Sequence, residues 1–316
     1  MNDSLNKLYK TIGVSKQAFH QRMNRKLREQ ACEHQLLFLI YELRQDHPTM
    51  GSRDMYYRLQ PSFIGRDKFE WFCKMHRLSS QRAVNQRRTT NSTGVIRFVN
   101  LTIGLKLNHI NQLWVSDITY YEMKGRFYYL TFIMDAFSRR ILGHNTSCRL
   151  FTVQTTLPAL KMAVAVRKGT KCEGTIFHSD GGGQYYDMEF LRLTQKLGLR
   201  NSMCEYPWEN GKAERINGII KNNYLTHRNI DSFDELKKEV DRSVKLYNEQ
   251  KPHVGLNRLS PVNFEKQYIW LGKTSDGEKS TTEHETHSSR AMNSPAGCGK
   301  TPPAQISLQN MTKIIV

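Results

Sequence analysis

At 316 residues the chain is long enough for one or two cored domains with small modules beside them, so size excludes neither an enzyme nor a binding protein. Its formal net charge of +18 points to a polyanionic partner, with mere solubility as the bland alternative. Six cysteines without a CxxC pair or zinc spacing (Cys32, Cys73, Cys148, Cys172, Cys204 and Cys298), no secretory start and no apolar run of membrane-spanning length predict a reduced, cytoplasmic protein with no membrane partner.

The front is the most basic part: residues 1–100 carry 18 Lys and Arg against 8 Asp and Glu. Residues 1–30 have the form helix, tight turn, helix. Leu5, Leu8 and Tyr9 share an apolar face, Gly13 supplies the turn, Ser15 can cap the next helix, and Lys16–Lys26 carries Ala18, Phe19 and Met23 on a stripe. The pattern predicts a helix-turn-helix that offers Lys16, Gln17, His20, Gln21 and Arg22 to DNA, against the alternative of a purely structural helical pair. Residues 31–80 form a second helical module, with Leu36–Leu43 apolar at helical spacing and further helices opening at Ser52 and at Gly65-Arg66-Asp67. Its Tyr, Phe and Trp71 side chains read as a small core, which leaves Arg53, Arg58, Arg66 and Lys68 as the DNA-facing set. Residues 81–108 have few apolar anchors and include Arg87 and Arg88, so they read as a basic linker able to follow a phosphate backbone.

From 109 to 270 the pattern becomes α/β. Leu113–Glu122, Phe127–Ala136 and Arg140–Thr146 read as three antiparallel strands joined by short turns. Helices over Val153–Val166 and Asp187–Leu197 then alternate with strands over Gly174–His178 and Arg200–Met203, and long amphipathic helices follow near 209–226 and 232–249. The region 271–316 has little to bury and reads as a disordered tail.

Three carboxylates stand out in this frame. Strand alternation puts Val115, Asp117 and Thr119 on one side of the first strand and Trp114, Ser116 and Ile118 on the other, so Asp117 faces a site while Trp114 packs inward. Asp180 ends a short strand ahead of Gly181-Gly182-Gly183, where bare backbone allows close approach; the glycines fit neither a phosphate-binding loop nor a dinucleotide fingerprint. Glu214 shares a helix with Asn217 and Lys221 beside the apolar stripe Ala213, Ile216 and Ile220. Glu209 competes with Glu214, although a first-turn glutamate also serves the helix N-terminus. His178 is expected on the strand face opposite to Asp180, as a positioning or substrate-contacting residue, and Asp135 either braces a turn through Ser138 or Arg139 or acts directly. Carboxylates crowded in this way suit two divalent ions about 4 Å apart in phosphoryl transfer.

The residues resemble a known family. Trp114-Val115-Ser116-Asp117-Ile118-Thr119-Tyr120, Met134-Asp135-Ala136-Phe137-Ser138-Arg139-Arg140, His178-Ser179-Asp180 with Gly182, Gln184 and Tyr185, Glu209-Asn210 with Ala213-Glu214-Arg215, Asn217-Gly218 and Lys221, and Tyr247-Asn248 with Pro252-His253, Leu256 and Ser260-Pro261 follow in order. Together they are similar to the integrase-type transposases of bacterial insertion sequences. The resemblance implies a ribonuclease H-like catalytic core, a mixed five-stranded sheet with helices, preceded by small all-helical DNA-binding modules. It implies Asp117, Asp180 and Glu214 as catalytic metal ligands for two Mg2+ ions, with Mn2+ as substitute, and Lys221 as a contact to the transposon end. Trp114, Thr119, His178, Gln184, Asn210 and Asn217 are the supporting residues. The implied reactions are 3′-end cleavage and strand transfer, the implied partners double-stranded DNA with terminal inverted repeats and target DNA, and the working form a homodimer or higher homo-oligomer. The rivals are a nuclease of the same fold that joins nothing and a non-enzymatic DNA-binding relic. One departure is visible: 33 residues separate Asp180 from Glu214, two fewer than usual, with the shortening placed in Cys204–Trp208. Either the loop there is unusually tight or the element is a degenerate copy.

Overall fold

The computed structural model describes residues 9, 11–80, 98–168 and 172–269; Arg87, Arg88, Cys298 and the region 271–316 lie outside the described residues. The first regular element is a continuous 31-residue helix, α1 (Lys16–Asp46). Ser15 caps it as expected, its hydroxyl accepting from the Ala18 N–H at 3.1 Å. The helix anticipated over Lys16–Lys26 thus runs on without a break across residue 30. Long polar and charged stretches with good helix formers sustain it there, although only Leu36 and Ile40 are buried.

Those two residues pack with Met55 of α2 (Ser52–Leu59) and with Phe69, Phe72 and Cys73 of α3 (Arg66–Met75) in a small separate core. Phe69 and Phe72 are core residues as expected, whereas Trp71 falls on the outer face of α3 and is exposed. The C-terminal end of α1 is fastened to the larger part of the chain. His47 is buried between Tyr224 Oη and Gln250 Oε1, both at 3.2 Å, Arg228 donates to the Gln45 carbonyl at 2.7 Å, and Arg242 pairs with Asp46 at 2.7 Å.

That larger part is built on a five-stranded sheet in the order β3-β2-β1-β4-β5. The strands are β1 (Leu113–Met123), β2 (Arg126–Asp135), β3 (Ile141–Ser147), β4 (Ile176–Ser179) and β5 (Arg200–Met203). β1, β2 and β3 pair antiparallel through short turns, while β4 and β5 join in parallel, each after a crossover helix. The mixed sheet flanked by helices is the ribonuclease H-like arrangement expected.

Alternation along β1 feeds two cores. Trp114 packs with Ile133, Phe177 and with Ala159, Leu160 and Ala163 of α4 (Thr156–Val166) and Phe190 of α5 (Met188–Lys196). Val115 points the other way, into Phe132 and Met134, Ala213, Ile216 and Ile220 of α6 (Gly211–Asn223), and Val240, Val244 and Tyr247 of α7 (Phe233–Gln250). Gly143 lets α4 lie directly on β3, since a Cβ there would run into the Ala159 backbone. α8, over 261–269, returns to the sheet end. Its Glu265 meets the buried Arg167 at 2.6 Å, and Arg167 also reaches Asp135 at 3.2 Å. Asp135 is fully spent in this brace, accepting in addition from the N–H groups of Asn111, Phe137 and Ser138.

Candidate active site

Asp117 lies mid-strand in β1 and, by the same alternation as Val115, turns toward α6. One carboxylate oxygen accepts from the Ile118 N–H at 2.9 Å and the other from Asn217 Nδ2 at 2.8 Å. Asp180 follows directly on β4, the parallel neighbour of β1. Its Oδ1 accepts from the Gly182 N–H at 3.1 Å. Of the three glycines after it, Gly181 is the one with a positive φ of 81°, and a Cβ there would press on Met203 and lie 2.9 Å from Tyr186 Oη. The glycine therefore serves the sharp turn that aims Asp180.

Burial pushes the Asp117 carboxyl up to about 8, and the charge of Asp180, then that of Glu214, push the same way against the two hydrogen bonds. Asp180 is likewise raised, by burial. Glu214 stands exposed in the first turn of α6, one helical turn before Asn217, and acts on Asp117 through its charge. Glu209 is used differently. Its Oε2 folds back to accept from the Glu205 and Tyr206 N–H groups at 2.7 and 3.1 Å, capping the 3-10 turn Pro207–Asn210. The geometry thus favours Glu214 over Glu209 as the third carboxylate beside Asp117.

Every donor in this cluster is a carboxylate oxygen, the ligand type that hard divalent cations take. Desolvation and like-charge repulsion at Asp117 are the forces a cation would relieve, so the residues present fit such an ion. Among the described residues no three acidic, His or Cys side chains converge closely enough to enclose an ion, as expected for anions with no cation between them. Lys221, also on α6, is partly buried with its ammonium 3.3 Å from the Tyr120 carbonyl; burial lowers its pKa and the charge of Asp117 raises it.

The supporting residues have definite partners. Asn210 Nδ2 donates to the Ser116 carbonyl at 3.0 Å and pins the start of α6 beside β1. Gln184 Nε2 donates to the Leu150 carbonyl at 3.1 Å and ties down the loop behind Asp180. Thr119 is buried on the Asp117 side of β1, and Trp114 is wholly buried with its indole N–H 3.3 Å from Asn111 Oδ1. His178 differs from expectation. Two residues from Asp180 is one full strand period, and its register partner is Val115, so it shares the Asp180 face. It is fully buried against Ser202 Oγ at 2.9 Å, and burial holds it neutral with a pKa of about 4.

Sequence reasoning missed Ser116, which links Tyr185 Oη at 2.9 Å to the Phe132 carbonyl and so ties β4's loop to the strand of Asp117. The front residues Lys16, Gln17, His20, Gln21 and Arg22 all lie exposed on the first turns of α1. In the next module Arg53 is held by both oxygens of Glu70 at 2.8 and 3.1 Å and Arg66 by Asp67 at 2.8 Å, whereas Arg58 and Lys68 are exposed with no acidic partner among the described residues. Among the described residues no helix is long and apolar enough to cross a membrane, and the described cysteines are free thiols.

Residues 108–206 match the family model described as Integrase core domain, and residues 197–261 match a second model of the same description. Over 271 residues the chain is 27% identical to the Insertion element IS600 uncharacterized 31 kDa protein of Shigella sonnei, covering 81% of this chain and 97% of that one. It is 29% identical over 159 residues to the Transposase for insertion sequence element IS904 of Lactococcus lactis, covering 49% of this chain and 62% of that protein, which is under two thirds of that relative's length. Among solved structures it is similar to the HTLV-2 integrase catalytic core domain in complex with magnesium, at 20% identity and a TM-score of 0.40 over 49% of this chain and 95% of that one. It is also similar to a chain of the simian T-cell lymphotropic virus intasome in complex with PP2A regulatory subunit B56 gamma, at 14% identity and a TM-score of 0.41 over 83% of this chain and 80% of that one.

Proposed function

Because the chain belongs to the integrase-type transposases of bacterial insertion sequences, a family of polynucleotidyl transferases, we propose that it cuts the 3′ ends of an insertion sequence and joins them to target DNA. In the first step the oxygen of a water attacks a phosphodiester and the element's 3′ hydroxyl leaves. In the second that hydroxyl attacks a target phosphodiester and displaces the target's own 3′ oxygen. Asp117, Asp180 and Glu214 are the residues that would hold two magnesium ions, with manganese as a substitute. Bound there, such ions supply Lewis-acid activation of the attacking oxygen and stabilise charge on the leaving one.

The observation that carries this reading is the environment of Asp117, gripped by Asn217 and Ile118 while Asp180 and Glu214 load it with like charge. Asn217 keeps one carboxylate oxygen turned toward α6, Asn210 keeps the start of that helix against β1, and the Gly181 turn orients Asp180. Lys221 on the same helix supports a contact to a phosphate of the transposon end. The exposed Lys16, Gln17, His20, Gln21 and Arg22, with Arg58 and Lys68 of the following helices, supply cations and amides for the terminal repeats. Work on two ends at once calls for at least a homodimer.

The test is strand transfer of a labelled terminal repeat, taken from DNA flanking the coding region, into a plasmid with Mg2+ or Mn2+. Joined product that disappears in Asp117→Asn and Glu214→Gln supports the proposal. Nicking without joining would favour the nuclease, and repeat binding with no metal-dependent cleavage would favour the DNA-binding relic.

A further inference from the structure

The segment between β5 and α6 is short and anchored at both ends to the strands of the acidic cluster. The Cys204 N–H donates to the Ser179 carbonyl at 3.0 Å, next to Asp180, and Asn210 Nδ2 donates to the Ser116 carbonyl at 3.0 Å, next to Asp117. Between these anchors Glu209 locks the backbone of Glu205 and Tyr206. The two large side chains of this stretch point outward. Tyr206 is 45% and Trp208 69% exposed, against a core in which the other described aromatic residues of the acidic strands are buried or partly so. Their rings are stacked on each other, with centroids 4.6 Å apart and planes within 5° of parallel.

Exposed aromatic surface of this size is costly in water, and a parallel pair with open outer faces is built to lengthen a stack. The polyanion that a +18 chain attracts carries flat π-faces of the matching kind. Inside a duplex those faces are covered by neighbouring base pairs, so only an unpaired base can lie on the shelf. We infer that Tyr206 and Trp208 form a base-stacking shelf at the lip of the acidic cluster, which takes an unpaired nucleobase of the DNA next to the bond that is cut or joined. This rests on the proposed function and adds to it the local form of the substrate, an opened rather than fully paired end.

Stacking of a base on an aromatic side chain is tolerant of sequence, so the test does not need the native repeat. Full-length protein is titrated with a duplex carrying a two-nucleotide unpaired 3′ overhang that contains 2-aminopurine, and with a fully paired duplex carrying the same probe at the same place. The expected result is a change in 2-aminopurine emission on binding of the overhang DNA alone, lost in Trp208→Ala and retained in Tyr206→Phe, which keeps the ring. The preference of the wild type for overhang over paired DNA should fall by about 5- to 100-fold in Trp208→Ala, the range set by one base on one aromatic ring. Because Trp208 is exposed, its removal leaves the cores intact, and a thermal melt verifies this in the same samples.

Binding of the overhang DNA with no emission change, or an unaltered preference in Trp208→Ala, would overturn the inference. So would a Trp208→Ala protein whose only defect is a lower mass in solution, because that assigns the shelf to contact between copies of the chain. These readouts use binding alone. Absence of cutting and joining by the wild type would sink the proposed function whatever the probe does, and a silent probe in a protein that joins DNA would sink the shelf and leave the function standing.

Discussion

Asn217→Ala tests whether the acidic cluster depends on how Asp117 is held. Asn217 Nδ2 makes one of the two hydrogen bonds to that carboxylate, at 2.8 Å, and its own Oδ1 is buried without a partner, so the side chain is committed to this single task. A hydrogen bond to a charged group is worth about 1.5–3 kcal/mol, which corresponds to roughly 10- to 100-fold in an equilibrium that needs the ionised, oriented carboxylate. Loss of the bond leaves burial and the charges of Asp180 and Glu214 opposed only by the Ile118 N–H, so Asp117 becomes harder to ionise still. The assay is the Mg2+ dependence of cleavage of a labelled transposon end. Its midpoint is expected to rise on the order of 10- to 100-fold, with much of the rate recovered at saturating metal. Asn217→Asp, which adds a fourth anion, should be worse than Asn217→Ala. An unchanged metal midpoint in Asn217→Ala, or an Asn217→Asp protein as active as the wild type, would refute the reasoning.

Glu214→Gln is expected to abolish metal-dependent cleavage, while Glu209→Gln keeps it and loses about 1 kcal/mol of loop stability with the cap; the reverse pattern in the same cleavage assay would exchange their roles. Glu265→Gln leaves Arg167 buried beside an incomplete partner set, and a loss of about 3–5 kcal/mol should appear as a Tm lowered on the order of 10 °C. The pKa of Glu265 is depressed by Arg167 despite burial, so this stabilisation is full above the ordinary glutamate range and fades as pH falls through the folded-state value; melts of wild type and Glu265→Gln should therefore converge in acid. At His47 burial lowers the pKa from 6.5 to about 4, so the unfolded chain takes the proton first and stability drops as pH falls from about 6.5 towards 4. Hydrogen exchange at residues 43–50 should rise over that window by an amount reflecting up to ~3 kcal/mol, and stay flat in His47→Gln.

The parts of the fold that were legible in the sequence are those governed by short periods. The alternation at Val115, Asp117 and Thr119 assigned the two faces of β1, and the 3.6-residue stripe of Ala213, Ile216 and Ile220 placed Glu214 and Asn217 on one helix near Asp117. The Cys204–Tyr206 passage, where two residues are missing relative to the family, needs only a single 3-10 turn to reach α6. What was misread followed from misapplied or absent periodicity. His178 was given the wrong face although residues two apart on a strand share one, and α1 was cut short because a long polar helix has no apolar stripe to mark its extent. The Asp135, Arg167 and Glu265 brace joins residues 98 apart in the chain, and nothing local in the sequence announces such a pairing. The exposed Tyr206 and Trp208 were passed over because two aromatics flanking a proline in a polar loop look like ordinary loop packing until their rings are seen in parallel.

The length of α1 makes it a measuring rod. It rises about 1.5 Å per residue, so Arg22 stands roughly 37 Å along the axis from His47, where the helix is bolted to the core. One turn of duplex DNA spans about 34 Å. A base pair read by the free end of such a rod would lie about one helical turn from whatever the fixed end touches, on the same side of the duplex. The phase between recognition and cutting would then be set by the number of residues in one helix, and adding or deleting half a turn of α1 would rotate one relative to the other without altering a residue of either.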